Sequence, residues 1–261
     1  MLSIDLSGKR ALVTGGNSGI GEAIARSLAQ AGADVAINYV SHPDAADAIA
    51  SDIRAKGVRA LTILADISDS AQVDTIFKTL DDSWGGIDIL VNNAGIDGSS
   101  ALAWDADLDA WRKVLEINLF GAFYCSQQAL RRMVPQKSGV IINMSSVHES
   151  IPWSGYSAYT ASKAAISMLT KTLAQESAPH GVRVLAVAPG AIKTPINQSV
   201  WGDPKGLADL DQKIPMGRMG DRDEIAKMVT VLASDLASYA TGTTLFIDGG
   251  MTDFADFAHG G

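Results

Sequence analysis

The apolar run Arg10-Ala11-Leu12-Val13 passes directly into Thr14-Gly15-Gly16-Asn17-Ser18-Gly19-Ile20-Gly21, and a helical pattern begins at once over 20–30. No other stretch constrains the fold of this chain as much. A buried strand that turns immediately into a helix needs backbone where side chains would collide. Gly15 permits the tight turn; Gly19 and Gly21 let a pyrophosphate approach the backbone and let the helix pack close to its sheet. The first helical turn offers free N–H groups and the positive end of the helix dipole, a setting for an anion. The spacing is G-x-x-x-G-x-G, not G-x-G-x-x-G, which narrows the kind of site it can build.

Strand and helix signals then alternate to the end of the chain. Strands are expected over 10–13, 35–37, 61–64, 87–91, 140–144, 182–187 and 244–247. Helices are expected over 20–30, over 45–56 before Gly57, and through Val73, Ile76, Phe77 and Leu80. A long one should run through Trp111, Val114, Leu115 and Phe123 toward Met133, and another should carry Tyr159 to near Gly181. Continuous apolar strands separated by helices indicate a parallel sheet covered on both faces. A single domain over 1–261 is expected, without repeat or linker. The one long irregular region, 194–220 with Pro195, Pro204 and Pro215, reads as a substrate lid.

Composition excludes several function classes. The 261 residues, 47% hydrophobic, can bury a full core. A net charge of -8 argues against nucleic acid, which needs a cationic face. No apolar run approaches the ~20 residues that span a bilayer, and the first ten residues lack a signal-peptide pattern, so a soluble cytoplasmic protein is expected. The single Cys125 should pack as a small hydrophobe. Four histidines without ligand spacing give no metal site.

The chemistry-bearing signal is Tyr159 with Lys163, four residues apart on one helical face, thirteen residues after Ser146. A phenol beside an ammonium is a proton-transfer pair, because the positive charge favours phenolate and should draw the tyrosine pKa below ~10. Tyr156 competes for the role, but its spacing to Lys163 is seven.

These motifs together resemble the short-chain dehydrogenase/reductase family over the whole chain, and within it the bacterial glucose 1-dehydrogenases. The general motifs are Thr14 to Gly21, Asp66, Asn92 to Gly95, Asn118, the Ser146, Tyr159 and Lys163 set, and Pro189-Gly190. The narrower likeness lies in Asn143 to Glu149, Ile151-Pro152-Trp153, Thr194-Pro195-Ile196-Asn197, Ile214 to Gly217 and Asp248 to Thr252. The resemblance implies a Rossmann-like, doubly wound, seven-stranded parallel sheet in one domain, and hydride transfer between a sugar or related secondary alcohol and a nicotinamide. Under it, Tyr159 is the general base or acid, Lys163 tunes it and binds the ribose, and Ser146 rather than Ser145 holds the substrate oxygen. Asn118 would hold a water linking Lys163 to solvent.

The same likeness places the cofactor on Gly15, Asn17, Ser18, Gly19, Ile20 and Gly21, with Asp66 and Ile67 around adenine. Asn93, Ala94, Gly95, Pro189, Gly190, Ile192 and Thr194 would line its nicotinamide half. The end of the second strand, Asn38-Tyr39-Val40-Ser41-His42, has neither the acid that holds a 2′-hydroxyl nor, at Val40, the base that grips a 2′-phosphate. Both NAD and NADP should serve, and Asn38→Asp should favour NAD. For the substrate, the candidates are Asp97, Ser146, His148, Glu149, Trp153, as a platform for a sugar face or a packed ring, Asn197 and Ala258.

Two alternatives remain. A 3-oxoacyl-carrier-protein reductase would need cationic docking residues such as Arg131-Arg132, and Gln175 stands where those enzymes tend to carry arginine. A non-catalytic nucleotide-binding regulator should have lost Ser146, Tyr159 or Lys163. The family also implies a homotetramer with D2 symmetry, built on helices carrying Phe123 and 161–165. A C-terminal tail, 251–261, is expected to pack Phe254 and Phe257 at an interface and bring Ala258 to a neighbouring active site.

Overall fold

The computed structural model describes residues 4–253; Phe254, Phe257 and Ala258 lie outside them. Seven parallel strands make one sheet in the order β3-β2-β1-β4-β5-β6-β9. They are β1 (Arg10–Val13), β2 (Asp34–Tyr39), β3 (Ala60–Leu64), β4 (Ile89–Asn92), β5 (Gly139–Met144), β6 (Val182–Pro189) and β9 (Thr244–Ile247). Two two-residue strands, β7 (Ile192–Lys193) and β8 (Gly220–Asp221), pair separately. The strand order reverses beside β1, between β2 and β4, which opens a crevice at the carboxyl ends of β1 and β4.

Alternate residues of each strand feed opposite cores, which is why the strands are apolar throughout. Ala11, Val13, Val35, Ile37, Ile89 and Val91 pack on one side with α1 (Gly19–Gln30), α2 (Pro43–Arg54) and α9 (Arg222–Ala233). Leu12, Ala36, Leu90 and Ile141 pack on the other with α3 (Ser70–Trp84), α5 (Ala122–Gln136) and α6 (Ser157–Ser177). Cys125 is fully buried in that second core, where burial alone pushes its thiol up to about 12, so it packs as a hydrophobe.

Two expectations need correction. The long helix is α4 (Leu108–Leu115) joined to α5 by a π-helical segment, Glu116–Gly121, which contains Asn118. The 194–220 region is not irregular: it folds as a 3-10 turn, Pro195–Asn197, then α7 (Gln198–Trp201) and α8 (Pro204–Asp211). The signal was legible in Asp203-Pro204. The Asp203 carboxylate accepts from the Gly206 N–H at 3.0 Å, and proline occupies the first helical turn.

Candidate active site

A cleft of about 1360 Å³ runs along the carboxyl ends of β1, β2, β4, β5 and β6. Its centre is a knot of backbone. The Thr14 hydroxyl accepts from the Asn93 and Ala94 N–H groups, both at 3.0 Å, and the Asn93 amide donates to the Thr14 and Gly15 carbonyls at 2.9 and 3.1 Å. A Cβ on Gly21 would stand 2.2 Å from the Gly15 oxygen and 2.4 Å from the Asn93 amide. Gly21 is therefore demanded by the loop's own closure. Gly15 and Gly19 have φ of 59° and 54°, the left-handed region. Ser18 makes no side-chain cap, so the first turn of α1 leaves its N–H groups for a ligand, beside Asn17, Ser18, Gly19 and Ile20 in the cleft wall. A long cleft with an uncapped helix start at its waist fits a dinucleotide.

At one end lie Asn38, Tyr39, Val40, Ser41, Asp66 and Ile67. Asp66 accepts from the Ser68 N–H and hydroxyl at 2.9 and 2.7 Å and faces Lys113 at 3.6 Å. The Asn17 amide donates to the Ser41 carbonyl at 2.7 Å. Asn38 departs from its expected role. It is 1% exposed, and its amide donates across to β3 at the Ile63 and Ala65 carbonyls, 3.2 and 2.9 Å. An aspartate there would lose those donors and bury a charge, so Asn38→Asp should cost stability before it moves cofactor preference. Val40, 62% exposed, is the side chain that meets solvent at this corner.

Toward the other end stand Ser146, Tyr159 and Lys163 with Gly95, Pro189, Gly190, Ile192 and Thr194. The Ser146 hydroxyl accepts from the His148 N–H at 3.2 Å, leaving its own hydrogen free to point toward the Tyr159 phenol. Lys163 is 6% exposed and donates from Nζ to the Met144 carbonyl at 2.8 Å, with Nζ 5.5 Å from the Tyr159 ring centre. The expected low tyrosine pKa is absent. Burial pushes the phenol up to about 12, against the pull of Ser146, while burial also brings Lys163 down to about 8. Desolvation of both partners outweighs their attraction in the bare protein. Asn118 is likewise spent on protein: Oδ1 accepts from the Ile96 N–H at 2.9 Å, and Nδ2 donates to the Ile96 carbonyl and Ser162 hydroxyl at 2.9 and 3.1 Å. Its amide hydrogens tie the loop after β4 to α6.

The substrate candidates divide. Asp97 and His148 line the cleft. Burial raises the Asp97 carboxyl, opposed by Lys163 and His148, and lowers the His148 imidazole. His148 Nδ1 lies 3.0 Å from the Ile151 carbonyl, an acceptor only, so Nδ1 carries the hydrogen and Nε2 is left as an acceptor in the neutral ring. Glu149 does not line the cleft. Its carboxylate turns inward to the hydroxyls of Ser145 and Ser167, a correction to its expected substrate contact. Asn197 borders the cleft but caps Thr194, accepting from its N–H at 2.9 Å and hydroxyl at 3.0 Å and donating to the Ile192 carbonyl at 2.8 Å. Trp153 stacks at 4.5 Å on His148 and at 3.8 Å on Tyr156, near-parallel to both. Two rings that close must lie on opposite indole faces, so neither face is open to a sugar. Lys113, Leu210, Lys213 and Thr252 also line the cleft and were not foreseen. Leu210 and Lys213 belong to the unread helix α8 and its exit.

The chain belongs to the short-chain dehydrogenase/reductase family: a family model described as enoyl-(acyl carrier protein) reductase matches residues 15–252. It is 45% identical over 257 residues to 3beta-hydroxysteroid dehydrogenase 1 of Eggerthella lenta, covering 98% of each chain. It is 39% identical to glucose 1-dehydrogenase 2 of Bacillus subtilis, covering 95% of this chain and 96% of that one. A gluconate 5-dehydrogenase from Burkholderia cenocepacia, solved with NADP and tartrate, superposes with a TM-score of 0.91 at 36% identity, over 97% and 98% of the two chains. The protein is an oxidoreductase that acts on an alcohol or ketone with NAD or NADP. Among the described residues no helix is long and apolar enough to cross a membrane, and no group of three potential metal ligands occurs.

Proposed function

We propose that this enzyme oxidises a hydroxyl-rich ring, an aldose going to its lactone, and that Asp97 carries the preference. It is a half-buried carboxyl on the cleft wall that receives no hydrogen bond from any described residue. An unpaired acceptor in a desolvated wall costs free energy until a donor arrives. With His148 Nε2 beside it, that wall offers two acceptors, which suits a substrate rich in hydroxyl donors.

Bound nicotinamide supplies hydride acceptance and, when oxidised, a positive ring charge. The protein's part is proton transfer and positioning. Ser146, its hydroxyl hydrogen free, donates to the substrate oxygen and holds it against Tyr159. As hydride leaves carbon, the Tyr159 oxygen takes the hydroxyl proton; in reverse the protonated phenol returns it. Lys163 stands beneath that ring as the cation that steadies phenolate.

A second reading, an apolar ring alcohol of the steroid type, is favoured by Ile151, Pro152, Trp153 and Leu210 on the same cleft. The carrier-protein reading keeps only Arg131 of its docking pair exposed, because Arg132 is bound to Asp81 at 2.6 Å and packs over Phe77. For assembly we propose the D2 homotetramer; Phe120 just before α5, Phe123 at its start and Met168 on α6 leave apolar area exposed, and light scattering would test it. The substrate test is turnover of glucose, a 3β-hydroxysteroid and an acetoacetyl thioester with each cofactor. Glucose or a related aldose should give the highest kcat/KM. Turnover of the steroid alone would overturn the proposal.

A further inference from the structure

Half-buried beside α6, and absent from the cleft lining, is a carboxylate that the reaction scheme leaves unused. Glu149 follows Ser146 on the 3-10 turn Val147–Glu149. Its Oε2 receives the Ser145 hydroxyl and its Oε1 the Ser167 hydroxyl at 3.0 Å. Ser167 is one turn beyond Lys163 on the same face of α6, and the Ser145 hydroxyl also lies 3.3 Å from the Lys163 carbonyl. Met144, which takes the Lys163 ammonium, immediately precedes Ser145. The Met144–Glu149 segment thus touches α6 twice on one face, with a carbonyl at the Lys163 ammonium and with a carboxylate at the Ser167 hydroxyl one turn on.

An ammonium this deeply buried tends to lose its proton unless opposite charge stands near. We infer that Glu149 is a positioning residue for the proton chemistry, the permanent counter-charge that keeps Lys163 an ammonium. The inference rests on the catalytic reading of Tyr159 and Lys163. The titratable groups around Lys163 among the described residues are Tyr159 on α6, His148 and Glu149 on the 3-10 turn, and Asp97 in the loop after β4. Only Asp97 and Glu149 can oppose the cation with a negative charge, and both favour its protonated form. Asp97 is the stronger of the two influences, but it faces the cleft, where a substrate would claim it. Glu149 has a hydroxyl donor on each oxygen and does not line the cleft.

The test is the pH profile of kcat/KM. Glu149→Gln keeps the shape and removes the charge, so Lys163 should lose its proton at lower pH. The alkaline limb should move down by about one pH unit, the lower end of what one nearby opposite charge does, with the acid side nearly unchanged. Ser167→Ala removes a hydrogen bond but no charge and should leave the limb in place. Glu149→Asp should fall between, and it carries the test if Glu149→Gln does not fold. A limb unmoved in both Glu149 variants, or a loss equal at every pH and matched by Ser167→Ala, would overturn the inference. Lys163→Ala separates the two claims: if it retains turnover, the catalytic reading itself has failed.

Discussion

The waist of the cleft and the end that holds Tyr159 are built from different material. The waist is made of backbone: Gly15, Gly19 and Gly21 set by steric demand, and Thr14 with Asn93 stitching β1 to β4. The substrate end is made of side chains whose neighbours decide where they point, as with Glu149 turning inward and Trp153 wedged between two rings. Backbone sites tolerate no substitution, while side-chain sites are free to change ligand. A family can therefore keep one cofactor and take many substrates.

The largest expected effect tests the substrate end at its chemical centre. Tyr159→Phe removes only the ionisable oxygen. Turnover should fall by at least ~10²-fold, the scale of general acid–base catalysis, while nicotinamide binding, read by fluorescence titration, stays within a few-fold. Activity above a hundredth of wild type would remove Tyr159 from the proton path.

Next is the waist. Gly21→Ala would place Cβ 2.2 Å from the Gly15 carbonyl oxygen, a contact backbone can relieve only by moving. The loop should open, at a cost of roughly 1–3 kcal/mol as for overpacked cores. Cofactor affinity should fall along with the melting temperature. A Gly21→Ala enzyme with normal melting and normal affinity would show the turn to be softer than its geometry.

This division also explains what could be read from the sequence. Strand alternation, the glycine turn and the spacing of Ser146, Tyr159 and Lys163 are local patterns, and local patterns survive without coordinates. Asn38 was misread because its burial depends on β3, twenty-five residues away. Glu149 departs from its expected place, and Trp153 stayed open between platform and packed ring, because sequence gives the order of side chains along a loop but not their direction. The tyrosine pKa was misjudged because the spacing to Lys163 shows the charge and hides the desolvation of both groups. The π-helical segment at Asn118 has no pattern of its own.

The adenosine corner lies between the two regimes, and its test is correspondingly smaller. Val40→Arg puts a cation where the exposed side chain meets solvent, and preference should move toward NADP by about 10-fold in kcat/KM, or ~1.4 kcal/mol. Asn38→Asp should lower the melting temperature without moving preference in proportion, because the lost amide bonds are to β3. A clean shift toward NAD with unchanged stability would restore Asn38 to the ribose.

The smallest effect concerns Asp97 and the stability it costs the empty enzyme. Its folded-state pKa is raised, chiefly by burial. Between the ordinary carboxylate pKa and that raised value, the folded form binds more protons than the unfolded one. Stability therefore declines as pH rises through that window, and the penalty is complete above it. Below the ordinary value both states are protonated and no penalty exists. Asp97→Asn removes the charge, so the variant should be more stable at neutral pH by about 1 kcal/mol, as for other destabilising functional residues. The advantage should vanish at acid pH. The KM for the preferred aldose should rise, because the acceptor for its hydroxyl is gone. Melting curves across pH with parallel kinetics decide it. A variant less stable than wild type at neutral pH would mean that Asp97 supports the fold, and the wall at the substrate end would then be as fixed as the waist.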